Sequence, residues 1–176
     1  MAFFDQAQEM LSQGIDTARG AVSGVAMEQL GFVRGFVRLC NDGWEQGWHE
    51  RNGGNLSYRV KPEEVESVKE NFEAKEWKPI GTSVPNLAGE YFLVTGSGKY
   101  FRNVIINPED SICMIEVDEK GESYRIVWGL KNGGRPTSEL PSHLMNHEVK
   151  KQATDGKYRV IYHAHTCLLY TSPSPR

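Results

Sequence analysis

Five apolar runs crowd the second half of the chain and constrain its fold more than any other feature: EYFLVT, NVII, SICMIEV, YRIVWGL and YRVIYHAH, between Glu90 and His165. Each is short, rich in β-branched and aromatic residues, and bounded by Gly, Asn, Pro or Asp, so each reads as a strand. A further short strand, LSYRV, begins at Leu56. Upstream lies one strongly periodic helix. From Met27 to about Arg51, Leu30, Val33, Val37, Cys40, Trp44 and Trp48 recur at spacings of three and four, which puts them on one buried face and both tryptophans in the core. The paired glycines of NGGN (Asn52 to Asn55) are expected to stop that helix. A second helix is expected to begin near Pro141, a residue suited to a first turn because its missing N–H has no intrahelical acceptor there. Residues 61–88 are polar and proline-containing, and read as a long surface excursion with one short helix. No internal repeat is visible.

At 176 residues the chain is long enough for one domain with a real core, and 39% hydrophobic with 24% charged residues is ordinary for a globular fold. A formal net charge of -3 supplies no electrostatic reason to bind nucleic acid or an anionic membrane, so any phosphate must be held locally. Cys40, Cys113 and Cys167 are odd in number and lack paired spacing, which fits reduced thiols in the cytoplasm. The start, MAFFDQAQEMLSQG, has acids where a signal peptide has basic residues, and no run of 18 apolar residues occurs; neither a signal peptide nor a membrane span is expected.

The last run carries the first chemical signal. Successive side chains of a strand point to opposite faces, so His163 and His165 share a face with Cβ atoms about 7 Å apart, a spacing at which two imidazoles can converge on one cation. Tyr158, Val160, Tyr162 and Ala164 would form the packed opposite face. The pair reads either as metal ligands or as partly buried structural histidines. Three turns carry the second signal: NGGN, TGSGKYF (Thr95 to Phe101) after a strand, and PTSELP (Pro136 to Pro141) running into a helix. Each offers backbone N–H groups beside short polar side chains, the combination that holds a phosphate dianion, and each taken singly reads equally as an ordinary turn. GSGK lacks the spacer and the hydroxyl residue of a P-loop.

Taken together, GWHERNGGNLS, FLVTGSGKYFRNV, WGLKNGGRPTSELPSHLMNH and YRVIYHAHT resemble, in that order and at these separations, the class II aldolase family typified by fuculose-phosphate aldolase and ribulose-phosphate epimerase. The likeness covers residues 27–166, and RNGGN with TSELPSH point to the branch acting on rhamnulose 1-phosphate. The resemblance implies a three-layer α/β/α sandwich around a mostly antiparallel sheet. It also implies a cytoplasmic homotetrameric lyase of rhamnose catabolism, with one Zn²⁺ per subunit, that cleaves L-rhamnulose 1-phosphate to dihydroxyacetone phosphate and L-lactaldehyde. Another sugar-phosphate aldolase, an epimerase, a dehydratase and a non-catalytic phosphate-binding module are the alternatives. The cation would act as a Lewis acid on the charge left when the carbon–carbon bond breaks. By the same resemblance His163 and His165 are zinc ligands and Glu139 is the catalytic carboxylate, its basicity expected to be raised by a dry pocket. Asn52, Asn55, Ser97, Gly98, Thr137 and Ser138 match the phosphate- and substrate-holding positions. Alone, Glu139 would read as a capping acid.

His143 and His147 stand four apart on the second helix, but the order H-L-M-N-H-E misplaces the base of an H-E-x-x-H site, so no metal role is assigned to them. After HAHT the chain departs from the family pattern into CLLYTSPSPR. The expected organisation is therefore an extension over 1–26, an incomplete class II aldolase domain over 27–166 lacking a third zinc ligand, and a non-native tail over 167–176, so that the chain as given is expected to be an inactive fragment of the enzyme.

Overall fold

The computed structural model describes residues 26–165. Most of the extension expected over 1–26, the tail expected over 167–176, and Cys167 lie outside the described residues. Six strands form one sheet: β1 Asn55–Arg59, β2 Lys78–Pro79, β3 Tyr91–Thr95, β4 Ile112–Val117, β5 Ser123–Gly129 and β6 Val160–His163. Their order is β2-β5-β4-β3-β1-β6, and every pairing is antiparallel.

The central strands are apolar on both faces, and this decides the layering. On β3, Phe92 and Val94 point one way and Leu93 the other; on β4, Cys113 and Ile115 oppose Ile112 and Met114. A sheet with two greasy faces must be covered twice. Helix α1 (Gly31–Glu45) buries Val33, Phe36 and Cys40 against the face carrying Leu56, Leu93, Met114 and Val127. The last helix, Leu140–Ala153, lays Leu140 and Leu144 on the face carrying Phe92, Val94, Cys113 and Ile126. The result is the three-layer α/β/α sandwich that the resemblance implies. Cys40 and Cys113, each a free thiol, lie buried in opposite layers and cannot pair.

Three short helices sit between these elements: α2 Pro62–Glu66, α3 Phe101–Val104 and α4 Pro108–Ser111, which makes the last helix α5. The excursion over 61–88 holds α2, two 3₁₀ turns and the two-residue β2. Pro141 lies in the first turn of α5, with Glu139 as its N-cap.

Four expectations are corrected. Helix α1 ends at Glu45, well short of Arg51, because Gly47 takes φ +71° and closes a Schellman motif in which Trp48 N–H donates to Gly43 O and Gly47 N–H to Trp44 O. NGGN is thus not what stops it. Trp48 follows the stop and is 40% exposed, edge-on to Tyr162, while Trp44 remains half-buried against the core. NVII is no strand: Phe101 and Val104, three apart, are buried from helix α3, whereas Ile106 beyond it is 77% exposed. Finally, β6 is the outer strand among the described residues, so of its expected packed face Tyr162 joins the core, but Tyr158 and Val160 are exposed.

Candidate active site

Chain order and register bring four ends together. Where β1 begins, β3 and β6 end, and α5 starts above them. Asn55 on β1 faces His163 on β6 in register, so both side chains stand on one side of the sheet, with Ser57 two residues on. That is the side on which α5 packs, since Ser57 Oγ reaches His143 and His147 of that helix. At the start of α5 the Glu139 carboxylate meets β6, with Oε2 2.6 Å from His163 Nδ1. The His163 and His165 rings lie 4.8 Å apart between centroids, tilted by 38°. The H-x-H spacing thus does gather two imidazoles, with a carboxylate against one of them. Among the described residues no three His, Cys, Asp or Glu side chains are grouped to hold a metal.

The electrostatics of Glu139 differ from expectation. Burial pushes its carboxyl up, but a hydrogen bond from Asn55, together with the hydrogen bond and charge of His163, outweighs this and leaves it below the ordinary glutamate value. The reason is exposure: at 44% side-chain accessibility the site is wet enough for specific partners to win over desolvation.

The turns are fastened to one another. Gly96 bridges Pro136, Ser97 N–H donates to Arg135 O at 2.9 Å, and Thr137 N–H donates to Thr95 O at 2.9 Å. The N–H groups of Ser97 and Thr137 are therefore committed to joining loops, which leaves their hydroxyls, with Gly98 and Ser138, as what these turns can offer a ligand. Gly98 holds φ +73°, a conformation glycine takes without strain. Lys99 is drawn aside to Asp110 at 2.8 Å. The NGGN turn is pinned from behind by His49, 3% exposed and stacked on Phe101 with centroids 3.7 Å apart. His49 Nδ1–H donates to Gly53 O at 2.9 Å, so its Nε2 accepts from the Tyr162 hydroxyl at 2.5 Å. A Cβ on Gly54 would run into the His49 ring and the His163 carbonyl, so glycine is required there. Asn52 is exposed on the same turn.

Asn55, Glu139, His163 and His165 are thus one contact group. Ser97, Gly98, Thr137 and Ser138 lie on two joined loops beside it. Sequence reasoning left out Ser57 and His49 and assigned no role to His143 and His147. Burial lowers the His143 value to about 4, with Glu139 raising it and His163 lowering it further, and lowers His147 to about 3, with His143 and Arg59 adding to the effect. The i, i+4 spacing of the two histidines was visible; their partner, on a strand more than eighty residues earlier, was not.

The fold is thus an antiparallel sandwich with a carboxylate against the first histidine of an H-x-H segment, beside laced polar turns. The chain belongs to the class II aldolase and adducin N-terminal domain family, whose family model matches residues 34–171. It is 50% identical over 135 residues to a rhamnulose-1-phosphate aldolase of Mannheimia succiniciproducens, covering 76% of this chain and 50% of that protein. It is 47% identical over 135 residues to a rhamnulose-1-phosphate aldolase of Pectobacterium atrosepticum, covering 76% and 49%. The crystal structure of a sugar-phosphate aldolase from Thermotoga maritima matches with a TM-score of 0.62 at 30% identity, over 78% of this chain and 54% of that one. The chain spans about half the length of the curated relatives it matches.

Proposed function

We propose that this chain contributes to a full-length enzyme that catalyses the reversible retro-aldol cleavage of L-rhamnulose 1-phosphate to dihydroxyacetone phosphate and L-lactaldehyde. The observation that carries the reading is the Glu139 carboxylate seated 2.6 Å from His163, beside His165 and Asn55. Its support in kinship is the rhamnulose-1-phosphate aldolases above.

In cleavage the bond between C3 and C4 breaks, the C4 hydroxyl loses its proton as the aldehyde forms, and C3 gains one. We assign the C3 proton to Glu139. As a carboxylate, the form its lowered value favours, it accepts that proton in the condensation direction; once protonated, it returns the proton in cleavage. The side chains of Asn52, Asn55, Ser97, Thr137 and Ser138, with the backbone of Gly98, are assigned to hold the phosphate and the polyol. Hydrogen bonds to a charged oxygen are the strong ones, which suits short hydroxyls and carboxamides on rigid turns.

The donor set fits zinc. Glu139 occupies His163 Nδ1, the arrangement that orients a ligating imidazole and leaves Nε2 with its lone pair, and His165 lies alongside. We assign both histidines as ligands, with a further ligand from beyond the described residues, since a catalytic zinc takes three protein donors. Zinc so held would supply a Lewis acid for the charge left at C3. A cytoplasmic homotetramer belongs to the same reading; no helix among the described residues is long and apolar enough to cross a membrane.

The test is Glu139→Gln in a protein of the relatives' full length. Zinc content and affinity for the sugar phosphate should persist while cleavage falls by about 10²- to 10⁴-fold, the loss expected for a general acid/base. Undiminished turnover would remove Glu139 from this role.

A further inference from the structure

Ser57, His143 and His147 are buried behind the site, and the proposed reaction uses none of them directly. They are nonetheless connected to it. Ser57 Oγ stands 2.6 Å from His143 Nδ1 and 2.8 Å from His147 Nε2. The other nitrogen of His143, Nε2, meets Asn55 Oδ1, and the Asn55 carboxamide lies beside the Glu139 carboxylate, whose value it helps to lower.

A hydroxyl donates once, and Ser57 Oγ has no other acceptor among the described residues, so it donates to one histidine and accepts from the other, and protons can run through these contacts in two directions. In the first, His147 Nε2–H donates to Ser57 Oγ, Ser57 donates to His143 Nδ1, and His143 Nε2–H donates to Asn55 Oδ1; Asn55 Nδ2 then donates to Glu139. In the second every arrow reverses. Two observations select the first. The reversed chain would place an N–H on His147 Nδ1, an atom that is buried and has no partner among the described residues, and an orphaned buried N–H is rarer and worse tolerated than an orphaned lone pair. It would also turn the Asn55 carbonyl oxygen toward the Glu139 carboxylate, acceptor against acceptor, where the first direction supplies a donor.

We infer that His147, Ser57 and His143 form a one-way hydrogen-bonded chain that locks the Asn55 carboxamide with its Nδ2 donor on Glu139, making Ser57 and His143 positioning residues of the site. The inference rests on the reading of Glu139 as the proton-transferring group. His143 has to accept at Nδ1 and donate at Nε2 at once, and among side chains this size only a neutral imidazole does both across a ring. Burial keeps both histidines in that neutral form through the neutral pH range, so the chain persists there. The pair is therefore not half of a metal motif but a support for a carboxamide, with the carboxylate beyond it.

The experiment is long-range proton–nitrogen NMR of the imidazoles in the ¹⁵N-labelled 176-residue chain at pH 7.5 and 6, without substrate or metal. His143 and His147 should both show a protonated Nε2 and an unprotonated Nδ1 at both pH values. His147→Gln, whose amide N–H replaces the Nε2 donor, should keep His143 in that single tautomer and keep the Asn55 carboxamide protons slow to exchange. His147→Leu and Ser57→Ala should both lose the single tautomer and the slow exchange. An Nδ1–H tautomer or a doubly protonated ring at either histidine in the unmodified chain would overturn the inference, as would a His147→Leu variant with an unchanged His143 tautomer. Because no substrate is present, absence of aldol cleavage would count against the functional reading and leave this outcome independent of it.

Discussion

Acid should destabilise this fold while its carboxylates are still ionised, and His147 allows the size of the effect to be worked out. Its ring is fully buried against Phe92 and bonded to Ser57, with His143 and Arg59 as the neighbouring charges, and burial drives its value down to about 3. An unfolded histidine titrates near 6.5. Because the folded value lies below the unfolded one, the unfolded chain binds the extra proton throughout the interval between them. Stability is therefore complete above about pH 6.5 and is lost as pH falls below it. The slope approaches about 1.4 kcal/mol per pH unit, so by pH 5 His147 alone removes about 2 kcal/mol. His143, depressed to about 4, removes a similar amount, and His49, lowered chiefly by burial, acts in the same direction. A loss of about 4 kcal/mol is a large share of the 5–15 kcal/mol typical of a domain. Most carboxylates titrate below this window. The assay is urea denaturation of the 176-residue chain, followed by circular dichroism, at pH 7.5, 6.5, 5.5 and 5. His147→Gln keeps a donor for Ser57 but cannot titrate, so its loss of stability between pH 7.5 and 5 should be smaller by about 2 kcal/mol. Equal slopes for the two proteins, or an unmodified chain equally stable at both ends of the range, would refute the reasoning.

Two glycines of α1 should respond oppositely to alanine. At Gly35 an added Cβ meets nothing within 4 Å, so Gly35→Ala should stabilise by up to about 1 kcal/mol through helix propensity. At Gly43 it would collide with the Tyr162 hydroxyl and press on His49, so Gly43→Ala should destabilise by about 1–3 kcal/mol, and matching urea midpoints for the two variants would contradict the packing described. For the phosphate turns, Ser97→Ala or Asn55→Ala in a full-length protein should weaken binding of the phosphorylated ketose by about 1–3 kcal/mol, measured calorimetrically beside the unphosphorylated sugar. Equal weakening of both sugars would remove these residues from the phosphate site.

Much of the layering was legible in residues 90–129, because alternation along a strand is a local property. Phe92 and Val94 against Leu93, or Cys113 and Ile115 against Met114, already announce two greasy faces. The start of α5 was legible for the same reason: a proline suited to a first turn is a statement about its own backbone. Misreadings arose where two local signals competed. NGGN was read as the end of α1, but Gly47, closer to the helix, closed a Schellman motif that periodicity alone does not reveal. In NVII, β-branched residues suggested a strand, but burial of Phe101 and Val104 beneath α1 favoured a helical spacing.

Within the candidate site, the residue types and the shared face of His163 and His165 came from the sequence, since side-chain alternation on a strand needs no tertiary contact. Tertiary structure alone decided that Glu139 would meet His163, because this depends on β6 pairing with β1 and on α5 crossing above that pair. It also decided the direction of the Glu139 shift, since whether burial or hydrogen bonding prevails depends on how much water reaches the carboxylate. The role of His143 and His147 was decided there too. Their spacing of four is a property of the helix, but the hydroxyl that joins them belongs to Ser57, and no local rule connects a strand residue to a helix more than eighty residues away; only the fold shortens that separation to a hydrogen bond.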